Sequence, residues 1–222
     1  MKASLFDPQS RFFHPLALLA DVLMLSAAWL LGVALIVPAG AVSVALYEAV
    51  CYSLREDGFR ALARFWDSTR RHFLPALPSG FLVIGLLFSF LSLRQFMVTE
   101  INLYGDRHLL LFYRFFQFFS LAILSVLCLI FPLLSRFDFT TSGLWSTALK
   151  FFFLYPIRSL ASGLLTLLTA LLLLRTAFLI WPLFLLPALE QWLLSFLLEP
   201  VFDFYREKAR ENGEIKAETK DL

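Results

Sequence analysis

The sequence predicts an all-α fold, a polytopic bundle of transmembrane helices, and three observations predict it. Hydrophobic residues fill 59% of the 222 positions and charged residues only 16%, well short of the roughly 25% charged positions of an ordinary soluble domain. Mean hydropathy is +0.76. Several windows of about 20 residues, the length a helix needs to cross a hydrocarbon core of about 30 Å, carry one charge or none.

Five spans follow from those windows. The first is residues 16–37, with Asp21 its only charge, and the second is "LPALPSGFLVIGLLFSFLSL", 74–93, with none. The third is 112–134, around "FFQFFSLAILSVLCLIFPLL". The last apolar block, 157–198, is too long for one crossing. It divides into helices at 157–180 and 183–202, with the break at Trp181-Pro182 and a second possible hinge at Pro187, because proline removes a helix donor and clashes with the preceding turn. Residues 1–205 thus read as one transmembrane domain, and 206–222 as a polar tail of alternating charge. The start of the chain has basic residues ahead of an apolar run, but Asp21 and the run's length argue against a cleaved signal peptide.

Lys and Arg sort the connections by side. Segment 38–73, segment 135–158 and the tail together hold thirteen, and the opposite side of a five-span bundle holds six. The excess marks the cytoplasmic side, so the N-terminus is expected outside and the C-terminus in the cytoplasm of a cell membrane. Two cytoplasmic stretches look amphipathic. "FRALARFWDSTRRHF", 59–73, gathers Phe59, Leu62, Phe65, Trp66 and Phe73 near one helical face, and "TSGLWSTALKFFFLY", 141–155, opens with a Thr-Ser cap. Each is expected to lie as an interfacial helix among the headgroups.

Between span one and the first of these stretches stands "VPAGAVSVALY", 37–47, where proline and glycine break the apolar run before small residues resume. Small side chains let helices approach closely, and a backbone break at membrane depth needs protein around it. In this region the chain resembles the YesL-like family of bacterial integral membrane proteins. Asp21, Trp29, Gly40, Ala45, Leu46 and Tyr47 fall on the family's N-terminal pattern, with Pro38 as its proline out of the usual place, and "RFWDSTRRHFLPALPSG" is similar to the segment before its second span. The likeness is strongest over 16–80. It departs from the family in placing Pro38 only two residues ahead of Gly40 and in having Ser26 where an Asn is common. The resemblance implies a bundle of about five spans, often encoded beside carbohydrate ABC importers, and hence an accessory part in sugar uptake. It implies that "VPAGAVSVALY" joins the first span to a cytoplasmic interfacial helix.

Charges inside a bilayer are costly and therefore functional suspects. Asp21 and Arg175 both fall toward the outer leaflet of the five-span arrangement, where they would pair or reach separately for headgroups. Glu190 lies within the fifth span without an evident cation nearby, as a proton carrier or a protonated structural group. Ser162, Thr166 and Ala170, with Ser159 and Gly163, form a small-residue seam expected to pack helices together within the fold or between protomers.

Catalytic, cofactor and metal motifs are not found. The three histidines are scattered, the two cysteines form no CxxC, and there is no GxSxG, HExxH or glycine-rich phosphate loop. A net charge of +2 gives no nucleic-acid footprint. The expected function is an accessory or regulatory membrane protein working with ABC importer subunits or a sensor kinase, without enzymatic activity. The alternative is a small stand-alone or homo-oligomeric transporter or channel, built on Asp21, Arg175 and Glu190.

Overall fold

A computed structural model describes residues 13–55, 60–104, 107–137, 139–175 and 180–211. They form seven α-helices and, among the described residues, no strand: α1 Phe13–Ala34, α2 Ala39–Val50, α3 Ala61–Tyr104, α4 Arg107–Arg136, α5 Thr141–Leu154, α6 Pro156–Arg175 and α7 Ile180–Glu211. A short π-helical turn, Cys51–Arg55, follows α2. The expected all-α bundle is the observed architecture.

Four helices are long and apolar enough to cross a bilayer, over Ala61–Leu103, Leu110–Arg136, Pro156–Leu173 and Phe184–Glu207. The apolar parts of α1 and α2, Leu18–Ala34 and Ala39–Ser53, are shorter. The first expected span, 16–37, accordingly stops at Ala34, where a turn at residues 35–38 reverses the chain. Helices α4, α6 and α7 overlap the expected third, fourth and fifth spans, with α7 continuing to Glu211, nine residues past the expected end at 202. No break falls at Trp181-Pro182, where one was expected: α7 runs through both residues from Ile180, and residues 176–179 lie outside those described.

Helix α2 is the centre of the molecule rather than an interfacial helix. Eleven of its twelve residues are buried. Ala41, Val44 and Tyr47, followed by Cys51, face a core built with α4, α5 and α7, around Leu129, Ile130, Leu144 and Leu198. Val42, Ala45, Leu46, Ala49 and Val50 face a second core with Val22, Leu25, Phe65 and Ala188. The 3.6-residue period of the helix sends these two sets to different sides, so α2 is a wedge that touches both. Its small residues permit that position. A Cβ on Gly40 would lie 2.7 Å from the Ala76 carbonyl oxygen and 3.1 Å from the Gly80 Cα, so the backbones of α2 and α3 touch there.

Helix α3 corrects a second expectation. Residues 61–73 are not a separate headgroup-layer helix, because α3 continues through Pro75 and Pro78 as one helix of 44 residues, about 66 Å at 1.5 Å per residue. Phe65 and Ser68 are buried against α2, which draws this stretch into the bundle, while Trp66 and Phe73 remain exposed. Proline is tolerated in membrane helices when neighbours satisfy the freed backbone groups. Helix α7 shows this directly: next to Pro187, the Ala188 amide donates to Ser26 Oγ of α1 at 3.2 Å. Segment 141–155 does form a separate helix, α5, with Thr140 Oγ1 as its cap, accepting from the Gly143 amide. Beyond Gly80, α3 and the first half of α4 project as a pair joined by the stacked rings of Phe90 and Phe116 at 4.4 Å.

Candidate functional site

Polar side chains gather where α2 ends, and two buried glutamates organise them. Glu48 points from α2 toward α3, where Arg64, Ser68 and Arg71 occupy one helical face at spacings of four and three. Its Oε1 accepts from Arg64 at 2.8 Å and Arg71 at 3.0 Å, and its Oε2 accepts from the Ser68 hydroxyl, with His72 Nε2 3.8 Å away. The Arg64 guanidinium also lies over the Tyr52 ring at 5.5 Å.

Glu199 is the second centre. It sits on α7, buried, and its Oε1 accepts from Arg136 Nε of α4 at 2.7 Å and from the Tyr47 hydroxyl of α2 at 3.0 Å. Cys51 Sγ is 3.8 Å from the same oxygen, and Arg206 reaches Oε2 at 3.9 Å. The Arg136 guanidinium stacks over the Tyr47 ring at 5.9 Å. Tyr47 and Glu48 are neighbours on a helix, about 100° apart around its axis, so α2 is gripped on two sides at one level. Helices α2 and α3 meet at Glu48, and α2, α4 and α7 meet at Glu199. Each carboxylate is surrounded by donors from neighbouring helices and so ties those helices together.

Asp21 belongs to the same end of the molecule. It accepts from Ser53 Oγ in the π-turn at 2.9 Å, and Arg175 is not its partner. Arg175 ends α6, and α6 runs antiparallel to α7, with Arg158 reaching the Leu197 carbonyl oxygen and Thr166 reaching Glu190. That direction carries Arg175 away from the Glu199 level, toward the start of α7. Of the two alternatives, pairing and separate reach for headgroups, the pairing placed Asp21 at the outer end of a complete crossing, whereas α1 folds back on α2.

Glu190 has a partner, the Thr166 hydroxyl at 2.5 Å, so one residue of the small-residue seam supplies the group that the carboxyl needs. Ser159, Ser162 and Gly163 are buried, and a Cβ on Gly163 would fall 2.1 Å from Ser125 Oγ of α4. Ala170 is exposed. Trp29 donates from Nε1 to Ser43 Oγ at 3.1 Å, Pro38 precedes the first turn of α2, and Ala45, Leu46 and Tyr47 are fully buried. Gly40, Ala45, Leu46 and Tyr47 are thus buried within the α1–α2 hairpin, and Asp21, Trp29 and Pro38 are half-buried.

Glu48, Glu199, Arg64 and Arg136 are not among the candidate residues that the sequence pattern offers. The signal was present: a lone glutamate in "AVSVALYEAV" and a basic, hydroxyl and basic residue on one face of the next helix. An apolar cavity of about 250 Å³ opens near this end, lined by Leu133, Phe137, Phe151, Phe202 and Tyr205 with Lys150 among them. Among the described residues no group of three His, Cys, Asp or Glu side chains is placed to hold a metal. No family model, curated protein or solved structure matches the chain.

Proposed function

We propose that the chain is a multi-pass protein of the bacterial cytoplasmic membrane, with its C-terminus in the cytoplasm, acting as an accessory or regulatory component of a carbohydrate ABC-type uptake system. It has no catalytic role in this reading. Its partners are the lipid bilayer and the importer's subunits or a sensor kinase, with self-association as a further mode of assembly. The likeness of residues 16–80 to the YesL-like family gives the system.

One observation carries the docking reading: the two aromatic-basic segments share one end of the molecule. Arg64 and Arg71 of α3 hold Glu48, the preceding residue Tyr47 bonds Glu199, and Glu199 holds Arg136 just ahead of α5. Helix α3 also touches α5. On this end Arg60, Trp66 and Arg70 of the α3 segment are exposed, as are Leu149, Lys150 and Phe153 of α5. Exposed arginine beside exposed tryptophan is the composition of protein contact sites.

Crosslinked affinity purification from native membranes tests the proposal. It expects ABC permease or ATPase subunits in stoichiometric yield, and their loss from an Arg70→Glu, Lys150→Glu variant that still folds. Recovery of the protein alone, as a defined oligomer, contradicts it. The transporter alternative rests on Glu190 and Thr166 within the α6–α7 pair. It predicts sugar-dependent stabilisation of the purified protein by mass action, which the accessory reading does not.

A further inference from the structure

We propose that α1 and α2 form a re-entrant hairpin, entering the bilayer from the face that carries the Glu48 and Glu199 clusters and turning back inside it. This rests on the membrane-spanning reading of α3, α4, α6 and α7 and is independent of any partner.

Depth is the first argument. The two ends of the hairpin lie together, because Asp21 near the start of α1 bonds Ser53 just after α2. The beginning of α2 lies at Gly80, where the two backbones touch. From Gly80 the uncharged run of α3 continues thirteen residues to Leu93, about 20 Å at 1.5 Å per residue. The turn at 35–38 therefore stops well short of the far end of the apolar layer that α3 defines.

The turn itself is built for lipid. Leu31, Leu35, Ile36 and Val37 are 72%, 70%, 58% and 51% exposed, whereas turns in water are made from Gly, Pro, Asn, Asp and Ser. Ile36 even adopts a φ of 61°, a conformation that a β-branched residue rarely takes. Irregular backbone inside a bilayer must satisfy its own polar groups, and the amides of this turn do so. The amides of Leu35, Ile36, Val37 and Ala39 donate to the carbonyls of Gly32, Val33, Leu35 and Ile36, and Pro38 has no amide hydrogen to satisfy.

Charge supplies an independent argument. A hairpin that returns to its own side brings Lys2 and Arg11 to the face already holding the other thirteen basic residues, leaving only Arg94, Arg107, Arg114 and Arg175 opposite. Fifteen against four is a sharper bias than the thirteen against six of five crossings, and short-segment Lys and Arg set orientation. The N-terminus then shares the cytoplasmic side with the C-terminus, in place of the outward N-terminus that five crossings require.

Single cysteines introduced into the full chain and probed with a membrane-impermeant maleimide test this, with the parent chain and its own Cys51 and Cys128 as baseline. Ser4→Cys and Thr219→Cys should label only after permeabilisation, and Gly105→Cys in intact cells. Ile36→Cys, with Leu35→Cys as a second probe of the turn, should stay protected until the protein is denatured. Labelling of Ser4→Cys from outside alongside Gly105→Cys, or labelling of the turn without denaturation, overturns the hairpin while leaving the four spans standing. Labelling of Gly105→Cys only after permeabilisation removes the crossings on which the hairpin depends.

Discussion

Helix α2 and the outer half of α3 are both strongly apolar, yet the molecule treats them in opposite ways. Eleven of twelve residues of α2 are buried by protein, whereas between residues 81 and 96 of α3 only Val83 is. Hydropathy does not separate the two segments, but side-chain size does. "AGAVSVALYEAV" is made mostly of small residues that admit neighbouring backbones, and "FLVIGLLFSFLSLRQF" presents large aliphatic and aromatic groups to its surroundings. In a bilayer, lipid tails are as apolar as leucine, so hydrophobicity alone gives helices no reason to associate and close packing of small residues decides. The inner region is held by protein contacts and the outer one leaves its surface to lipid.

The largest expected effect lies in the inner region. Arg136→Ala leaves Glu199 buried without its closest cation, and breaking such a pair costs about 3–5 kcal/mol. Unfolding of the purified protein in detergent should show a loss of that order, and an unchanged midpoint would place Glu199 in contact with water. Next come the glycine contacts. Gly163→Ala and Gly40→Ala force a methyl group against Ser125 and against the Ala76 carbonyl oxygen, and overpacking of this kind costs about 1–3 kcal/mol. Gly85→Ala, with no atom within 4 Å of the added carbon, should be neutral or stabilise by about 0.5–1 kcal/mol, since glycine is unfavourable inside a helix. Equal losses at all three glycines would break the contrast between inner and outer packing.

Thr166→Val should be milder than the Arg136 change. It removes the hydroxyl that Glu190 accepts from, a loss of about 1–3 kcal/mol for a buried group left without its partner. Thr166→Ser, which keeps the hydroxyl, should recover most of it in the same unfolding measurement. Smallest is Phe88→Ala on the outer half of α3, where the ring is 71% exposed. Detergent stability should shift by no more than about 0.5 kcal/mol, as for surface positions generally. A loss as large as the glycine variants would show that the outer helices bury this ring in a protein contact.

Much of this inner and outer division was legible in the sequence. Composition gave the all-α membrane class, "VPAGAVSVALY" marked the place where the chain turns, and Gly163 and Thr166 of the seam fell on the α4–α6 and α6–α7 contacts, with Ala170 left exposed. Three things were not legible, each for a physical reason. The continuity of α3 through Pro75 and Pro78 depends on α2 burying Phe65 and Ser68, a tertiary contact that local propensity does not contain. The outer-leaflet placement of Asp21 assumed that a 22-residue window implies a crossing, whereas the turn at 35–38 folds α1 onto α2. The carboxylate clamps escaped because Glu48 and Glu199 lie 151 positions apart in the chain and are brought together only when α4 and α7 close around Tyr47.

The central claim is that α2 is held at the core by a buried carboxylate shared with α4 and α7. A double-mutant cycle on Arg136→Ala and Glu199→Ala, read by unfolding in detergent, tests it most directly. The account predicts that each single variant loses about 3–5 kcal/mol and that the double variant loses no more than the worse single one, because removing both charges leaves neither unpaired. Strictly additive losses would show that Arg136 and Glu199 act separately, and the clamp on α2 would not exist.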